Sequence, residues 1–230
     1  MEIIRLGDHT LCPRLLKPDS IVLDLGANCG AFTHEVVDRF HCKVYAVEAA
    51  PSVFREIAVN DRIEKFNLAI CGTSGPVTLN ISSYSEATSL KQLRDTEYVG
   101  KVVIQGMTLH DFLTSKSIPR LNLLKMDIEG AEIEVFNTCP DDVLAPIDQI
   151  TIEFHEWAGV CSEAEVKTIV RRLRTLGFFV FKQTRLDFRD VLFVNKRHMS
   201  KADYVFTQLR LWGPRVIGYA GRKLLGSKRG

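Results

Sequence analysis

No stretch of this 230-residue chain is apolar for the roughly 18 residues that a membrane span requires. The opening MEIIRLGDHT carries Glu2, Arg5 and Asp8 where a secretory leader would place an apolar run, so a cytoplasmic protein is expected. Six cysteines (Cys12, Cys29, Cys42, Cys71, Cys139 and Cys161) include no C-x-x-C pair, which argues against a cysteine-rich zinc site. Without a secretory signal they read as reduced, mostly structural thiols. Internal repeats and low-complexity tracts are missing, which excludes solenoids. The glycines never fall as G-x-G-x-x-G, so the dinucleotide fingerprint is missing too. The 46% apolar content leaves a globular protein with a substantial core, of a length that one α/β domain can reach.

Charge is unevenly spread. From Lys196 onward there are nine basic residues and one acid, Asp203; the preceding 195 residues hold 21 basic and 27 acidic residues, a net of −6. The tail therefore reads as a basic extension, 196–230, on a mildly acidic body, 1–195. Its mixture of basic residues with Trp212, Tyr219 and aliphatics reads as a terminus or helix packed on the body, with weak contact to an anionic membrane surface or glycan as the sharper alternative. Gly213, Pro214, Gly218 and Gly221 weaken a continuous helix there. No nucleic-acid-binding motif accompanies the charge, so nucleic acid is not an expected partner.

Short apolar runs alternate with helical patterns. Strands are expected near 21–25, 43–47, 64–70, 121–127, 148–154, 178–183 and 189–195, and helices near 31–40, 51–59, 108–115, 131–137 and 162–176. Ser162 and Glu165 form a capping box for the last helix, and Gly177 follows its end. This alternation implies an α/β fold: a mainly parallel sheet with helices on both faces. The last two strands are joined by a link short enough for an antiparallel pair. Residues 71–106, rich in Ser, Thr and Gly, break the rhythm; a short strand at 76–81 and an irregular segment are expected there.

The run VLDLGANCGAF, Val22 to Phe32, places a carboxylate, Asp24, in an otherwise apolar strand and ends it in Gly26 and Gly30. In doubly wound sheets ligands bind beyond the carboxyl ends of the strands, and glycines let the backbone turn sharply and approach a ligand. A plain strand-to-helix turn would also favour glycine. A carboxylate at the turn suits a cationic ligand better than a diphosphate. The second strand, VYAVEAAP, ends in Glu48, where an acid can hold ribose hydroxyls. S-adenosylmethionine combines a ribose, an ammonium group and a sulfonium without phosphate, and it is the expected cofactor. Asp24, Gly26, Asn28, Gly30, Glu48, Ala69 and Asp127 form its expected binding set, with Asp24 facing the ammonium group. Asn67 and Ile70 are further candidates beside the adenine.

VLDLGANCGAF, VYAVEAAP, LLKMDIEGAEIEVF and ITIEFHE follow the order and approximate spacing of the FkbM-type S-adenosylmethionine-dependent methyltransferases, which the chain resembles over residues 20–156. KMDIEGAE after DLGANCG is the most specific part. Glu-Ala-Ala-Pro replaces the family's usual Glu-Pro and leaves Glu48 in place; the basic extension lies outside the resemblance. The resemblance implies a class I methyltransferase (Rossmann-like) fold and O-methylation of a hydroxyl on a sugar, glycan or secondary metabolite.

Asp127 and Glu129 fall at the carboxyl edge of the fourth sheet strand, where acids either cap the following helix or touch the donor or acceptor. Alternation places Glu153 and His155 on one face of the next strand end. Removing the acceptor's proton assists methyl transfer, and histidine has a suitable pKa. His155 is therefore the first candidate for general base, with Glu153 and Glu129 next. Asp127, Glu153 and His155 could instead ligate a divalent cation; no metal is the main expectation. Ser83, Ser85, Thr88 and Ser89 offer hydroxyls from the long insertion. Two other function classes compete: a nicotinamide-dependent oxidoreductase on a similar sheet, disfavoured by the absent fingerprint, and a non-catalytic binding module.

Overall fold

A computed structural model of the chain describes residues 1–83, 88–92, 96–184 and 187–209. A hairpin of β1 (Ile4–Leu6) and β2 (His9–Leu11) precedes β3 (Ile21–Leu25), α1 (Ala31–Phe40), β4 (Lys43–Val47), α2 (Pro51–Phe54), β5 (Ile63–Phe66) and β6 (Ala69–Ile70). Next come β7 (Gly75–Ser82), β8 (Tyr98–Met107), α3 (Leu109–Ser115), β9 (Leu123–Met126), α4 (Glu132–Thr138) and α5 (Asp141–Leu144). The chain continues through β10 (Gln149–Ile152), α6 (Glu163–Thr175), β11 (Phe178–Lys182) and β12 (Val191–Asn195). Residues 201–209 form a C-terminal helix.

Seven strands make the main sheet in the order β11-β12-β10-β9-β3-β4-β5. Every pair from β10 to β5 is parallel, while β12 runs antiparallel to both β10 and β11. This is the mainly parallel sheet with a terminal antiparallel pair that the sequence implies. Its central strands are apolar on both faces, as a sheet covered by helices requires. Leu23, Leu25, Leu124, Met126, Ile150 and Phe193 face one layer, built from α3, α4 and α6. Val22, Val44 and Leu123 face the other, against Val36 and Val37 of α1 and Leu6 and Leu11 of the hairpin. Each such large side chain, fully buried, contributes roughly 1.5–3 kcal/mol.

The capping box of α6 forms as expected: the Ser162 hydroxyl accepts from the Glu165 backbone, and the Glu165 carboxylate accepts from the Ser162 backbone. Three expectations are corrected. The strand expected at 64–70 ends at Phe66, because the Asn67 side-chain amide turns back to donate to the carbonyls of Glu48 (2.9 Å) and Ala49 (3.0 Å). Ala69 and Ile70 instead join a second, three-stranded sheet, β6-β8-β7. The helix expected at 51–59 stops after Phe54, where the Lys65 ammonium donates to the carbonyls of Phe54 (3.0 Å) and Ile57 (2.7 Å). The insertion at 71–106 is largely ordered as β7 and a ten-residue β8, whose two glycines and exposed Val99 and Val103 disguise its strand pattern. Of the extension beyond residue 195, the part up to Leu209 packs on β11 and β12, with Tyr204 against Phe179 and Phe181.

Gly26 ends β3 with φ +74, and a Cβ there would stand 1.6 Å from the carbonyl oxygen of Asp127 at the end of β9. Both ends are fixed by ladder bonds: the Asp127 backbone donates to Leu25 O and the Gly26 backbone to Val47 O, each at 3.0 Å. No small adjustment relieves such a clash between backbones. Gly26→Ala is expected to lose more than about 3 kcal/mol of stability, combining strain with overpacking. Urea unfolding of the purified variant, or its failure to accumulate as soluble protein, checks this.

Candidate active site

The carboxyl ends of β3, β4, β9 and β10 surround a cavity of about 690 Å³, a volume suited to a small-molecule ligand. The turn after β3 is held against β4 by Gly26 and Ala27, whose backbone N–H groups both donate to Val47 O at 3.0 Å. Asn28 adopts a left-handed conformation (φ 50) and donates its backbone N–H to Glu48 Oε2 at 2.8 Å; Ala50 donates to Glu48 Oε1 at 2.7 Å. Glu48 is thereby aimed into the cavity with one backbone donor on each oxygen. Each oxygen keeps a lone pair for a ligand hydroxyl. Burial raises its pKa, against the pull of those two N–H groups.

Asp24 is not on the cavity wall. Its carboxylate is fully buried, accepting from the Thr33 hydroxyl (2.6 Å) and lying 3.2 Å from the Lys125 ammonium. The expectation that Asp24 meets the ligand's ammonium group is therefore corrected: a cation of the chain itself takes that place. Gly30 is likewise off the wall and serves as the left-handed N-cap of α1, φ 89. Gly26, Asn28, Glu48, Ala69 and Asp127 do line the cavity, as do Ile70, Thr88 and Ser89. Asn67 and Ser83 do not, and Ser85 lies outside the described residues.

Lys125 belongs to β9 and escaped the reading of the sequence, although a lysine inside LLKMD is as anomalous as an aspartate inside VLDL. It also donates to Gly26 O (2.6 Å) and lies 3.9 Å from Asp127 Oδ2. Burial favours its neutral form, but Asp24 and Asp127 outweigh that and raise its pKa. Asp127 is opposed by burial too, yet Lys125, His9 and His155 hold it well below the usual carboxylate range. His9, from β2, was also unforeseen. Its Nε2 lies 3.4 Å from Asp127 Oδ2, its ring meets Phe32 edge-on, and its buried Nδ1 makes no hydrogen bond among the described residues.

His155 sits in a nest of acids. Nδ1 is 2.9 Å from Oε1 of the fully buried Glu132, while Nε2 is 3.2 Å from Glu129 Oε2 and 3.6 Å from Asp127 Oδ1. Burial works against a charged ring, but Glu132 and Glu129 override it and push the pKa up to about 12. His155 is an imidazolium at neutral pH and has no lone pair to accept a proton. The general-base expectation for it is corrected. Glu132, the acid that decides this, also accepts from the backbone of Ile128 (3.3 Å) and Gly130 (3.1 Å), which folds the DIEGAE turn around it. Glu129 has φ 55 there, and its carbonyl accepts from the Ser89 hydroxyl of the insertion.

Glu153 faces the same space. Burial first, and then the nearby negative charge of Asp127, raises its pKa to about 7. Asp127, Glu153 and His155 each offer an atom within 4.8 Å of the others, the convergence a divalent ion would need. With both ring nitrogens turned to carboxylates, however, His155 acts as a double donor in this arrangement. Trp157 stands 46% exposed on the cavity wall, its ring 5.8 Å from that of His155 and covered by the Arg189 guanidinium at 4.5 Å. Among the described residues of the wall, six carboxylates (Asp8, Glu35, Glu48, Asp127, Glu129 and Glu153) outnumber the cations Lys125 and His155.

Residues 24–180 match the methyltransferase FkbM domain. The chain belongs to the FkbM methyltransferase family. Its fold is the class I methyltransferase fold, with β12 inserted antiparallel between β10 and β11. Among its relatives is the hexuronic acid methyltransferase AglP of Haloferax volcanii, 27% identical over an alignment of 186 positions that covers 74% of this chain and 73% of that protein. Methyltransferase sdnD of Sordaria araneosa is 26% identical over an alignment of 194 positions that covers 69% of this chain and 75% of that one. The 2-O-methyltransferase NoeI of Sinorhizobium fredii is 24% identical over an alignment of 140 positions that covers 53% of this chain and 58% of that one. In this FkbM methyltransferase the signature strands β3 and β9 are the two that carry Asp24 and Lys125.

Removing one member of that buried pair strands the other's charge, a cost of about 3–5 kcal/mol. Lys125→Met is expected to lose that much in urea unfolding. Lys125→Met combined with Asp24→Asn should recover more than half of the loss, and a double variant as unstable as the sum of the singles would contradict the pairing.

Proposed function

We propose that this FkbM methyltransferase takes its methyl group from S-adenosylmethionine and transfers it to a hydroxyl of a sugar, glycan or similarly oxygenated small molecule. The observation that carries the reading is Glu153: a carboxylate on the cavity wall whose pKa of about 7 makes it a base at working pH. The residues present fit the donor. A wall rich in carboxylates favours a cation and opposes the diphosphate of a nicotinamide cofactor. Glu48 holds free lone pairs where ribose hydroxyls would lie, and Asp127 Oδ1 and His9 Nδ1 are buried without hydrogen-bond partners among the described residues.

When bound, S-adenosylmethionine supplies an electrophilic methyl carbon: oxygen attack forms the C–O bond while the C–S bond breaks and its electron pair stays on sulfur. The chain provides the rest. Glu153 accepts the hydroxyl proton as the oxygen becomes a nucleophile. The imidazolium of His155 touches Glu129 and Asp127 and fixes their positions, and Glu132 fixes His155 from behind. Names of relatives such as hexuronic acid methyltransferase and 2-O-methyltransferase support an oxygen acceptor on a sugar.

Because the ionised form of Glu153 is the active one, kcat should rise with pH through a single ionisation near 7. Glu153→Gln should lower kcat by roughly 10²–10⁴-fold, abolish that limb and leave donor affinity unchanged. A wild-type rate in this variant, or complete loss of wild-type activity on chelation, would remove Glu153 as base; the latter would favour the metal reading. Calorimetry tests the donor site separately: Glu48→Ala should weaken S-adenosylmethionine binding by about 1.5–3 kcal/mol, and NADH should not bind the wild-type protein.

A further inference from the structure

A polar atom buried without a hydrogen bond is costly, so one beside a cavity calls for an explanation. Six buried side-chain atoms lack a hydrogen-bond partner among the described residues, and Nδ1 of His9 is the one nitrogen. His9 lines the cavity and is only 5% exposed. Its Nε2 lies 3.4 Å from Asp127 Oδ2, and Oδ1 of the same Asp127 is another of the six. A nitrogen able to donate and an oxygen able to accept thus stand on neighbouring residues of the wall. The placement is firm. His9 pairs with Leu6 in the hairpin, and its ring meets Phe32 edge-on at 5.6 Å. Just beyond it the Thr10 backbone donates to Asp190 Oδ1 at 3.1 Å and the Cys12 backbone to Gln149 Oε1 at 2.8 Å. A strand tied down in this way presents a side chain more precisely than a loop does.

The charges around the pair say what would satisfy it. Among the described residues the wall cations are already held, Lys125 by Asp24 at 3.2 Å and His155 by Glu132 at 2.9 Å and Glu129 at 3.2 Å. The methionine end of S-adenosylmethionine is an α-amino acid. The acidic wall attracts its ammonium group and repels its carboxylate, so the carboxylate needs a donor of its own. We propose that His9 Nδ1 donates to the carboxylate of the methyl donor's amino-acid end, while Asp127 Oδ1 accepts from its ammonium group. Together they clamp a zwitterion. With Asp127 at Nε2 and the ligand carboxylate at Nδ1, the ring stands between two anions, which favours an imidazolium that donates from both nitrogens. The inference rests on S-adenosylmethionine as the methyl donor. It adds to that reading a binding residue that precedes the stretch 24–180 matching the family, on a hairpin outside it.

Calorimetry with two unreactive analogues tests the clamp. S-adenosylhomocysteine keeps the whole amino acid; S-adenosyl-3-thiopropylamine keeps the ammonium group and lacks the carboxylate. The wild-type protein should bind the first roughly 10–100-fold more tightly, as a hydrogen bond between charged groups implies. His9→Leu keeps apolar packing against Phe32 but offers no donor. It should weaken S-adenosylhomocysteine by the same factor and leave S-adenosyl-3-thiopropylamine unchanged, which also shows an intact pocket. His9→Asn, with an amide nitrogen in place of Nδ1, should restore part of the preference for the carboxylate. Three results would overturn the clamp while leaving the methyl donor's identity standing. One is equal affinity of the wild-type protein for both analogues. Another is wild-type affinity for S-adenosylhomocysteine in His9→Leu. The third is equal weakening of both analogues in His9→Leu and His9→Asn, which would make His9 a support of the wall only. Wild-type protein that binds neither analogue would overturn S-adenosylmethionine as the donor, and this inference with it.

Discussion

The contact between Asp24 and Lys125 joins the two central strands of the sheet at the depth where the cavity begins. A charge pair so buried contributes little net stability compared with an apolar pair of the same size. Its value here is placement. Lys125 also grips the carbonyl of Gly26 and draws on Asp127, so a single ammonium sets the turn after β3 and the acid after β9 relative to each other. The Gly26–Asp127 approach, too close for any side chain, depends on that register.

From this anchor outward, charge is arranged in layers. The inner cations, Lys125 and His155, are each held by at least two carboxylates. Among the described residues, what remains facing the cavity is an excess of negative charge. Two acids of one type diverge accordingly: Asp127, surrounded by cations, stays ionised far into acid, while Glu153, surrounded by burial and like charge, hovers near neutrality. Environment alone sets two carboxylates of one wall to such different acidities.

Much of this architecture was legible in the residues. Alternating apolar runs announced the sheet and its antiparallel end, because burial on both faces leaves a composition that is hard to mistake. Acids at strand ends marked Glu48, Asp127, Glu129 and Glu153 for the cavity wall. What stayed hidden depends on partners distant in sequence. Asp24 reads as a ligand until Lys125, 101 positions on, is seen to neutralise it. His155 reads as a base until Glu132 and Glu129 close around it. His9 gave no local sign at all, and β8 concealed its alternation behind glycines and an exposed face.

The small N-terminal hairpin has a consequence for folding. β2 is stitched in by side chains that come much later: Cys12 donates its backbone N–H to the Gln149 side chain and Thr10 bonds to Asp190, separations of 137 and 180 residues. The hairpin is thus held by partners far along the chain, and the placing of His9 beside Asp127 depends on Gln149 of β10 and on Asp190 just before β12. Its contacts close separations of 137 and 180 residues, the non-local kind of pairing that slows the folding of a domain.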